Sequence, residues 1–437
     1  MSVSVPSRVD EGSRQEERPL MEQLVRSANM RKAYQRVVSN KGAAGIDGMQ
    51  VEELKPYLQS NWAEIKEALL RDAYYPKGVK TVMIPKPQGG ERQLGIPTVM
   101  DRLIQQALQQ VLSPLYEADF SDHSYGFRPK RNAQQAIQSS QSYIRKGKRW
   151  VVDLDLSKFF DEVNHDRLLS KLRLRVLDRR VIHLIDRYLR AGMMKNGVEV
   201  RRKKGTPQGS PLSPLLSNIV LDELDKELES RSLSFVRYAD DFQIYVKTQR
   251  SAERVKTSVT NFINNRLRLK VNEEKSAVGR PWTRDFLGYS FTTDMKVKLK
   301  PSKSSIKRLK KKVKAKFRTG KGHNITKFIR DDLNPLLRGW INHFRVSDTR
   351  GYAKELDQWI RHCLRKMRWQ QWKRRWTRFK ELMRRGLLEE RAVRSAFNQR
   401  GPWWNAGASH MNQAYPKSYF MKIGLVSLDH YLDRASR

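Results

Sequence analysis

The sequence predicts a mixed α/β (α+β) fold over residues 1–300, followed by an α-helical, strongly basic region over 301–437. Three observations carry this. Short β-rich runs alternate with long amphipathic stretches in the first part. One β-rich run, Phe235–Val246, folds back on itself around an Ala-Asp-Asp tip and reads as an antiparallel hairpin. Beyond Pro301 the composition shifts: 34 Lys and Arg stand against 10 Asp and Glu, and seven of the ten Trp lie there.

In chain order, residues 1–18 are polar and charged and read as a disordered tail. Residues 19–130 form an N-terminal unit with helical periodicity over Val51–Arg71 and Asp101–Leu115 and a strand over Lys80–Ile84. Residues 131–300 carry helices over Asn132–Lys146, Asp166–Ala191 and Leu212–Leu224, with strands over Trp150–Leu156, Phe235–Val246 and Phe286–Phe291. Residues 301–437 begin with a basic helix, Lys303–Arg318, and continue with a long one, Tyr352–Arg385. On the latter, Leu356, Ile360, Cys363 and Met367 form one apolar stripe and Trp369, Trp372, Trp376, Phe379 and Met383 a second. Such stripes are core faces. The intervening cations, Arg365, Lys366, Arg368, Lys373, Arg374, Arg375 and Arg378, then face phosphates.

Charge and cysteine content narrow the function. The 437 residues carry a net charge of +41, and excess charge of that size seeks a polyanion. No run of about 18 apolar residues supports a membrane span, and the N-terminus has no apolar secretory core. The expectation is a cytoplasmic nucleic-acid-binding protein with no membrane partner. Cys363 is the single cysteine, so neither an intramolecular disulfide nor a Cys-rich zinc module is possible. A catalytic metal must be held mainly by oxygen ligands, which suits Mg²⁺ or Mn²⁺.

The carboxylates supply the chemistry. The hairpin tip presents Asp240 and Asp241 side by side. Taken alone it is equally an ordinary Asp-rich turn. In Trp150–Asp161, alternation puts Val152, Leu154 and Leu156 on one face and Asp153 and Asp155 on the other. One of these joins Asp240 and Asp241 around a metal pair, which suits phosphoryl transfer, a reaction of positioning and charge neutralisation. The segment 205–211, GTPQGSP, is a rigid turn carrying the Gln208 amide, though alone it is a loop-to-helix junction. Residues 84–97 form a turn in which Lys86 and Arg92 can reach a triphosphate or can simply be surface cations. No Walker A pattern is present. Nucleotidyl transfer is the class these residues favour together.

The order of motifs resembles the group II intron-encoded reverse transcriptase/maturase family. The match is carried by IPKPQGGERQLGIPT (84–98), HSYGFRP (123–129), WVVDLDLSKFFDEVNHD (150–166), GTPQGSPLSPLLSNI (205–219), YADD (238–241), NEEKS (272–276) and FLGYSF (286–291). NKGAAGIDG (40–48), LNPLLRGWINHF (333–344) and 356–373 continue it. The resemblance implies a right-hand polymerase: fingers, a palm with an antiparallel sheet, and a helical thumb that doubles as the maturase X domain. It implies Asp155, Asp240 and Asp241 as the catalytic carboxylates, with the Leu156 carbonyl completing the shell of two Mg²⁺ ions. Lys86, Arg92, Phe160, Gln208 and Lys275 would surround the dNTP, Phe160 as the ring that excludes a ribose 2′-hydroxyl and Lys275 at the motif of a general acid. Arg128, Gly209, Lys310, Lys311, Lys312, Arg338, Arg365 and Lys373 would bind template, primer or intron RNA.

Partners implied are an RNA template with a DNA primer, dNTPs, the parent intron RNA and target DNA. The segment 401–432 resembles the end of the X domain, so the expectation is a compact, bacterial class C-like member without an endonuclease, priming from an existing 3′ end. Two other functions stay open at this level: an RNA-binding splicing factor with a dead polymerase, which the intact carboxylates oppose, and a free-standing reverse transcriptase recruited to DNA repair or phage defence.

Overall fold

A computed structural model describes residues 19–85, 90–195, 198–200, 202–348 and 350–435. The chain divides into two compact units. The first runs to Ser140 and resumes over Lys148–Gly279; the second comprises Gln141–Gly147 and the chain from Arg280 onward. The division thus falls about twenty residues before the composition shift at Pro301. The reason is local pairing. Tyr289–Phe291 pairs with Leu299–Pro301, and Asp348 accepts hydrogen bonds from the Leu299 amide at 2.7 Å and from Gln141 at 2.7 Å. These short strands are therefore tied to the helical second unit.

The strands are β1 (Val79–Pro85), β2 (Glu91–Ile96), β3 (Trp150–Leu154), β4 (Met193–Lys195), β5 (Val198–Val200), β6 (Ser234–Tyr238), β7 (Asp241–Val246), β8 (Ala277–Gly279), β9 (Tyr289–Phe291) and β10 (Leu299–Pro301). Among the described residues they form two four-stranded sheets in the first unit, ordered β2-β1-β4-β5 and β6-β7-β3-β8, and a β9/β10 pair in the second. The β6-β7-β3-β8 sheet is antiparallel throughout, as the alternation and hairpin signals predict. It is a core sheet: Val151, Val152 and Leu154 of β3 and Phe242, Ile244 and Tyr245 of β7 are all buried. Helix Ser213–Ser230 packs against β6, and Gln249–Asn261 packs against β3, β7 and β8. Each fully buried Leu, Ile or Phe stabilises this core by about 1.5–3 kcal/mol.

Three predicted elements are corrected. The helix expected over 166–191 is two helices, His165–Arg173 and Arg179–Arg190. Asp178 caps the second, accepting from the Arg180 amide at 3.1 Å; buried Val176 keeps the apolar rhythm across the break and conceals it from periodicity. The long helix expected over 352–385 divides into Gly351–Gln371 and Arg375–Arg384. Trp372 leaves helical geometry there, and Arg378 donates to its carbonyl at 3.0 Å. The strand over 286–291 is cut to β9, because Leu287 and Gly288 both take positive φ.

Helix Lys303–Thr319 is capped by Ser302, whose hydroxyl accepts from the Ser305 amide at 3.1 Å. It buries Leu309 and Val313 in the second unit's core, with Ile306 and Phe317 packed beside them. Lys311 and Lys312 lie on its exposed side. No helix among the described residues is long and apolar enough to cross a membrane.

The first unit is organised around a buried ion pair. Arg237 of β6 donates to both Asp225 carboxylate oxygens, at 2.7 and 2.5 Å, and to Asn218 Oδ1 and the Ala239 carbonyl, both at 3.0 Å. Both charged side chains are sealed from solvent, at 1% and 0% exposure. Breaking a buried pair strands a charge and costs about 3–5 kcal/mol, whereas replacing both partners by apolar groups is often neutral. Asp225→Ala is therefore expected to lower the unfolding free energy of the first unit by about that amount. The double variant Arg237→Met/Asp225→Leu recovers most of it. Urea titrations of both variants check this; equal losses in the two would contradict it.

Candidate active site

The tip between β6 and β7 is a two-residue turn, Ala239-Asp240, in which Ala239 takes φ +60° and Tyr238 pairs with Asp241. Backbone density beneath the tip sets its position. A Cβ on Gly126 would lie 2.2 Å from the Ala239 amide nitrogen, so the 123–129 loop packs backbone to backbone against the tip. The Tyr125 amide donates to the Arg237 carbonyl at 2.8 Å, the Arg237 amide to the His123 carbonyl at 2.9 Å, and Asn218 to the Gly126 carbonyl at 2.9 Å.

β3 delivers Asp155 to the same place. Its register on β7 pairs Leu154 with Phe242, so the next residues run toward the tip. Beyond the strand, Asp155 is anchored on both backbone groups: its amide donates to Ser276 Oγ at 3.0 Å and its carbonyl accepts from the Asn272 amide at 2.8 Å. Leu156 makes an isolated antiparallel bridge with Val271. Because the bridging bonds are made by Asp155 and Ser157, the Leu156 carbonyl turns away from Val271, to the edge where β7 and Asp240 lie.

The electrostatics of the hairpin carboxylates reflect the nearness of Asp155. Burial raises the Asp240 carboxyl above the usual range and Asp155 adds to this, while its own backbone N–H and Arg92 pull it down. Asp241 is pushed up to about 6, by desolvation first and then by Asp240, Asp155 and Asp153, with Lys275 opposing. Although the Asp241 side chain reaches solvent, the surrounding protein and three like charges disfavour its ionised form. Lys275 Nζ stands 3.5 Å from Asp155 Oδ2.

Arg92 and Gln208 meet on the other side. Arg92 Nε donates to Gln208 Oε1 at 2.5 Å, and the Gly95 amide donates to the Gln208 carbonyl at 2.8 Å. Gly209 takes φ +110°, and a Cβ there would meet the Gly95 carbonyl at 2.9 Å, so this turn lies directly on β2. His165, from the end of the 150–166 motif, contacts the Gly205 carbonyl at 2.7 Å and supports the turn from below. Phe160 is nearly buried at 8% exposure, edge-on to Phe159, and its carbonyl accepts from the Thr206 amide at 2.6 Å. Lys86 lies outside the described residues.

These residues fit a hard divalent cation: three carboxylates and one carbonyl, all oxygen donors, in a cluster whose mutual repulsion a cation offsets. Among the described residues no three His, Cys, Asp or Glu side chains stand ready as a metal cage. The carboxylates feel one another without being drawn together.

The chain matches the family model for reverse transcriptase (RNA-dependent DNA polymerase) over residues 84–291 and that for the group II intron maturase-specific domain over 306–386. It is 33% identical to protein YkfC of Escherichia coli (strain K12), over 58% of this chain and 77% of that protein. It is 32% identical to the group II intron-encoded protein LtrA of Lactococcus lactis subsp. cremoris, over 59% of this chain and 54% of that one. The chain belongs to the group II intron reverse transcriptase/maturase family. It spans about half the length of LtrA. Among solved structures, a partial Cas6-RT-Cas1–Cas2 complex aligns at a TM-score of 0.36 and 24% identity, over 57% of this chain and 43% of that one, a likeness too slight to bear on function.

Residues 92, 155, 208, 240, 241 and 275, drawn from motifs between 84 and 276, thus gather in the first unit of this family member. Two expected RNA contacts do not reach solvent. Arg128 is 8% exposed and spends its guanidinium on Glu117 at 2.9 Å and on the Ser121 and Ser124 carbonyls at 2.5 and 2.9 Å. It braces the 123–129 loop. Arg365 is 7% exposed, donates to the Tyr415 carbonyl at 3.0 Å, and is held down to about 10 by burial and by Arg361. Both were read from chain position, which carries no sign of direction. Lys310 covers the Trp359 ring at 5.6 Å; Gly209, Lys311, Lys312, Arg338 and Lys373 are exposed. Sequence reasoning missed Arg237, Asp225, Asn218 and Ser276; only the Arg beside the YADD tip was a signal within reach.

Protons and divalent cations compete for the carboxylates. Desolvation and the neighbouring carboxylates push Asp241 up to about 6 and raise Asp240, so protons oppose a divalent cation here more strongly at acid pH than at neutral pH. The rise in melting temperature on adding Mg²⁺ is therefore expected to be larger at pH 7.5 than at pH 5, and to lose that dependence in Asp241→Asn. Scanning fluorimetry measures it; a shift independent of pH would contradict the assignment.

Proposed function

We propose that this protein is an RNA-directed DNA polymerase that also binds its parent group II intron RNA, promoting splicing and retrohoming by target-primed reverse transcription. The observation that carries the reading is the meeting of Asp155, Asp240 and Asp241 beside Lys275 and the Arg92–Gln208 pair. The reverse transcriptase and maturase-specific matches support the two halves of it.

In this account Asp155, Asp240, Asp241 and the Leu156 carbonyl would hold two Mg²⁺ ions, or Mn²⁺ in their place, which when bound would supply Lewis acidity toward the primer 3′-hydroxyl and charge neutralisation for the leaving pyrophosphate. Arg92, oriented through its Nε by Gln208, grips the triphosphate with the rest of its fork, and Lys86 assists. Lys275 offers a proton donor beside Asp155. Phe160 acts in this reading as the ring that excludes a ribose 2′-hydroxyl and so selects dNTPs; the bond from the Thr206 amide to its carbonyl, which ties it to the Gln208 turn, supports this. The RNA template and DNA primer lie along cationic surface, and the intron RNA binds mainly through phosphates, a mode that requires no catalytic residue. Target DNA supplies the primer 3′ end. The division into fingers (19–130), palm (131–300) and thumb (301–437) follows the same reading.

Asp240→Asn removes one charge from the cluster and is expected to slow extension on an RNA template by roughly a thousandfold. RNA affinity should stay within about twofold, since nucleic-acid affinity resides in the cations rather than the carboxylates. Primer extension and filter binding on the same preparation separate the two; loss of both would contradict the division of labour. Phe160→Ala should admit rNTPs more readily in single-turnover incorporation, and unchanged discrimination would return Phe160 to the core alone. Replacing exposed Lys311 and Lys312 by Ala should flatten the salt dependence of RNA binding by roughly 2 logarithmic units of slope, at about 0.9 per phosphate contact.

A further inference from the structure

The second unit contains a cleft of about 400 Å³ that the polymerase reading does not use. Helices Lys303–Thr319 and Gly351–Gln371 form its sides, and Trp403, in the first turn of Pro402–Gly407, forms one wall. Lys314, Arg318, Lys321 and Lys366 line it, and no acidic residue does. Its floor includes Cys363, whose thiol burial pushes up to about 11, so it stays neutral although Lys310, Lys314 and Lys366 face it. Gln370 brings an amide to the rim.

Trp403 is held as a platform. Its carbonyl accepts a hydrogen bond from His362 Nε2 at 3.0 Å, the His362 ring lies 4.0 Å from its own, and Lys366 Nζ stands 5.8 Å from its centroid. Yet Trp403 remains 49% exposed, a large indole kept open beside four cations. A volume near 400 Å³ sits at the small end of ligand pockets, roughly 300–1,000 Å³, so it admits one nucleotide and excludes a duplex. An aromatic face, an amide and surrounding cations are the elements by which proteins capture an unstacked base with its phosphates.

We propose that this cleft captures a single unpaired nucleotide of a bound RNA strand, its base stacked on Trp403 and its flanking phosphates held by Lys314, Arg318, Lys321 and Lys366. The inference deepens the RNA-binding half of the proposed function and rests on it. It adds a specificity element: a bulged or flipped nucleotide, rather than helical RNA as such, becomes the recognised feature. Trp403 lies beyond the span of the maturase-specific match.

The test uses the full chain and two RNA duplexes, identical except that one carries a single bulged 2-aminopurine. The bulged duplex is expected to bind roughly tenfold tighter, with its fluorescence quenched on binding by the indole. Trp403→Ala should abolish both the preference and the quenching while leaving affinity for the paired duplex unchanged; Trp403→Phe should restore part of each. Trp404→Ala, a neighbouring exposed indole outside the cleft, should change neither. Lys314→Ala/Arg318→Ala should flatten the salt slope for bulged RNA by roughly 2. Equal wild-type affinity for the two duplexes, or a preference that survives Trp403→Ala, overturns the cleft assignment while RNA binding stands. Adenosine monophosphate binding as tightly as the bulged duplex overturns it in favour of a free-nucleotide site. No binding of either duplex overturns both the cleft and the RNA-binding reading.

Discussion

The buried pair between Arg237 and Asp225 is the constraint on which the rest of the first unit depends. The Arg237 guanidinium joins three things, a helix carboxylate, the Asn218 side-chain oxygen and the carbonyl of Ala239 at the hairpin tip, and the Arg237 backbone adds the 123–129 loop. Burying two charges is expensive, and such pairs are weak devices for stability alone. What this one supplies is position. Ala239 immediately precedes Asp240, so fixing its carbonyl fixes where the paired carboxylates stand relative to Asp155. Gly126 completes the clamp from the opposite side, since any side chain there would collide with the Ala239 backbone.

The clamp is needed because the site works against itself electrostatically. Burial, Asp240, Asp155 and Asp153 raise the proton affinity of Asp241, with Lys275 opposing; burial and Asp155 raise that of Asp240, with Arg92 and Arg237 opposing. A surface assembled from flexible loops would relax by turning the carboxylates apart. Here they sit on a buried antiparallel sheet whose strands cannot slip by one residue without moving every core side chain to the wrong face. In the proposed function that mutual repulsion is what a divalent cation would offset. The net charge of +41 acts in the same direction at longer range, since excess positive charge of this size favours a polyanionic partner.

Much of this was legible in the sequence. The Ala-Asp-Asp tip, the alternation placing Asp155 on the open face and Leu156 in the core, and the Gly-rich turn carrying Gln208 are all local patterns, and period-2 alternation translates directly into faces of a sheet. Contacts across long separations were not legible. Nothing in the run 213–230 marks Asp225 as the partner of Arg237, and nothing marks Ser276 as the acceptor for the Asp155 amide. Cations misled for a related reason. Arg128 and Arg365 look like their exposed neighbours, but a guanidinium has enough donors to be consumed by backbone carbonyls, and burial then turns a presumed phosphate contact into a brace. Helix breaks escaped periodicity where an apolar residue in the connection, Val176 or Trp372, kept the rhythm. The Trp403 cleft depends on three segments meeting, which no single window of sequence contains.

The most direct measurement is the single-turnover rate of dNTP addition on an RNA template by Arg237→Met/Asp225→Leu, at a temperature where circular dichroism shows the variant as folded as the wild type. The substitutions remove the Arg237 donor to the Ala239 carbonyl and leave Asp155, Asp240, Asp241, Arg92, Gln208 and Lys275 in place. The account predicts addition slowed by roughly a hundredfold, about 2.7 kcal/mol of lost transition-state positioning, with primer–template affinity unchanged. Addition at the wild-type rate would show that the carboxylates find their places without the buried pair, and would contradict the central claim.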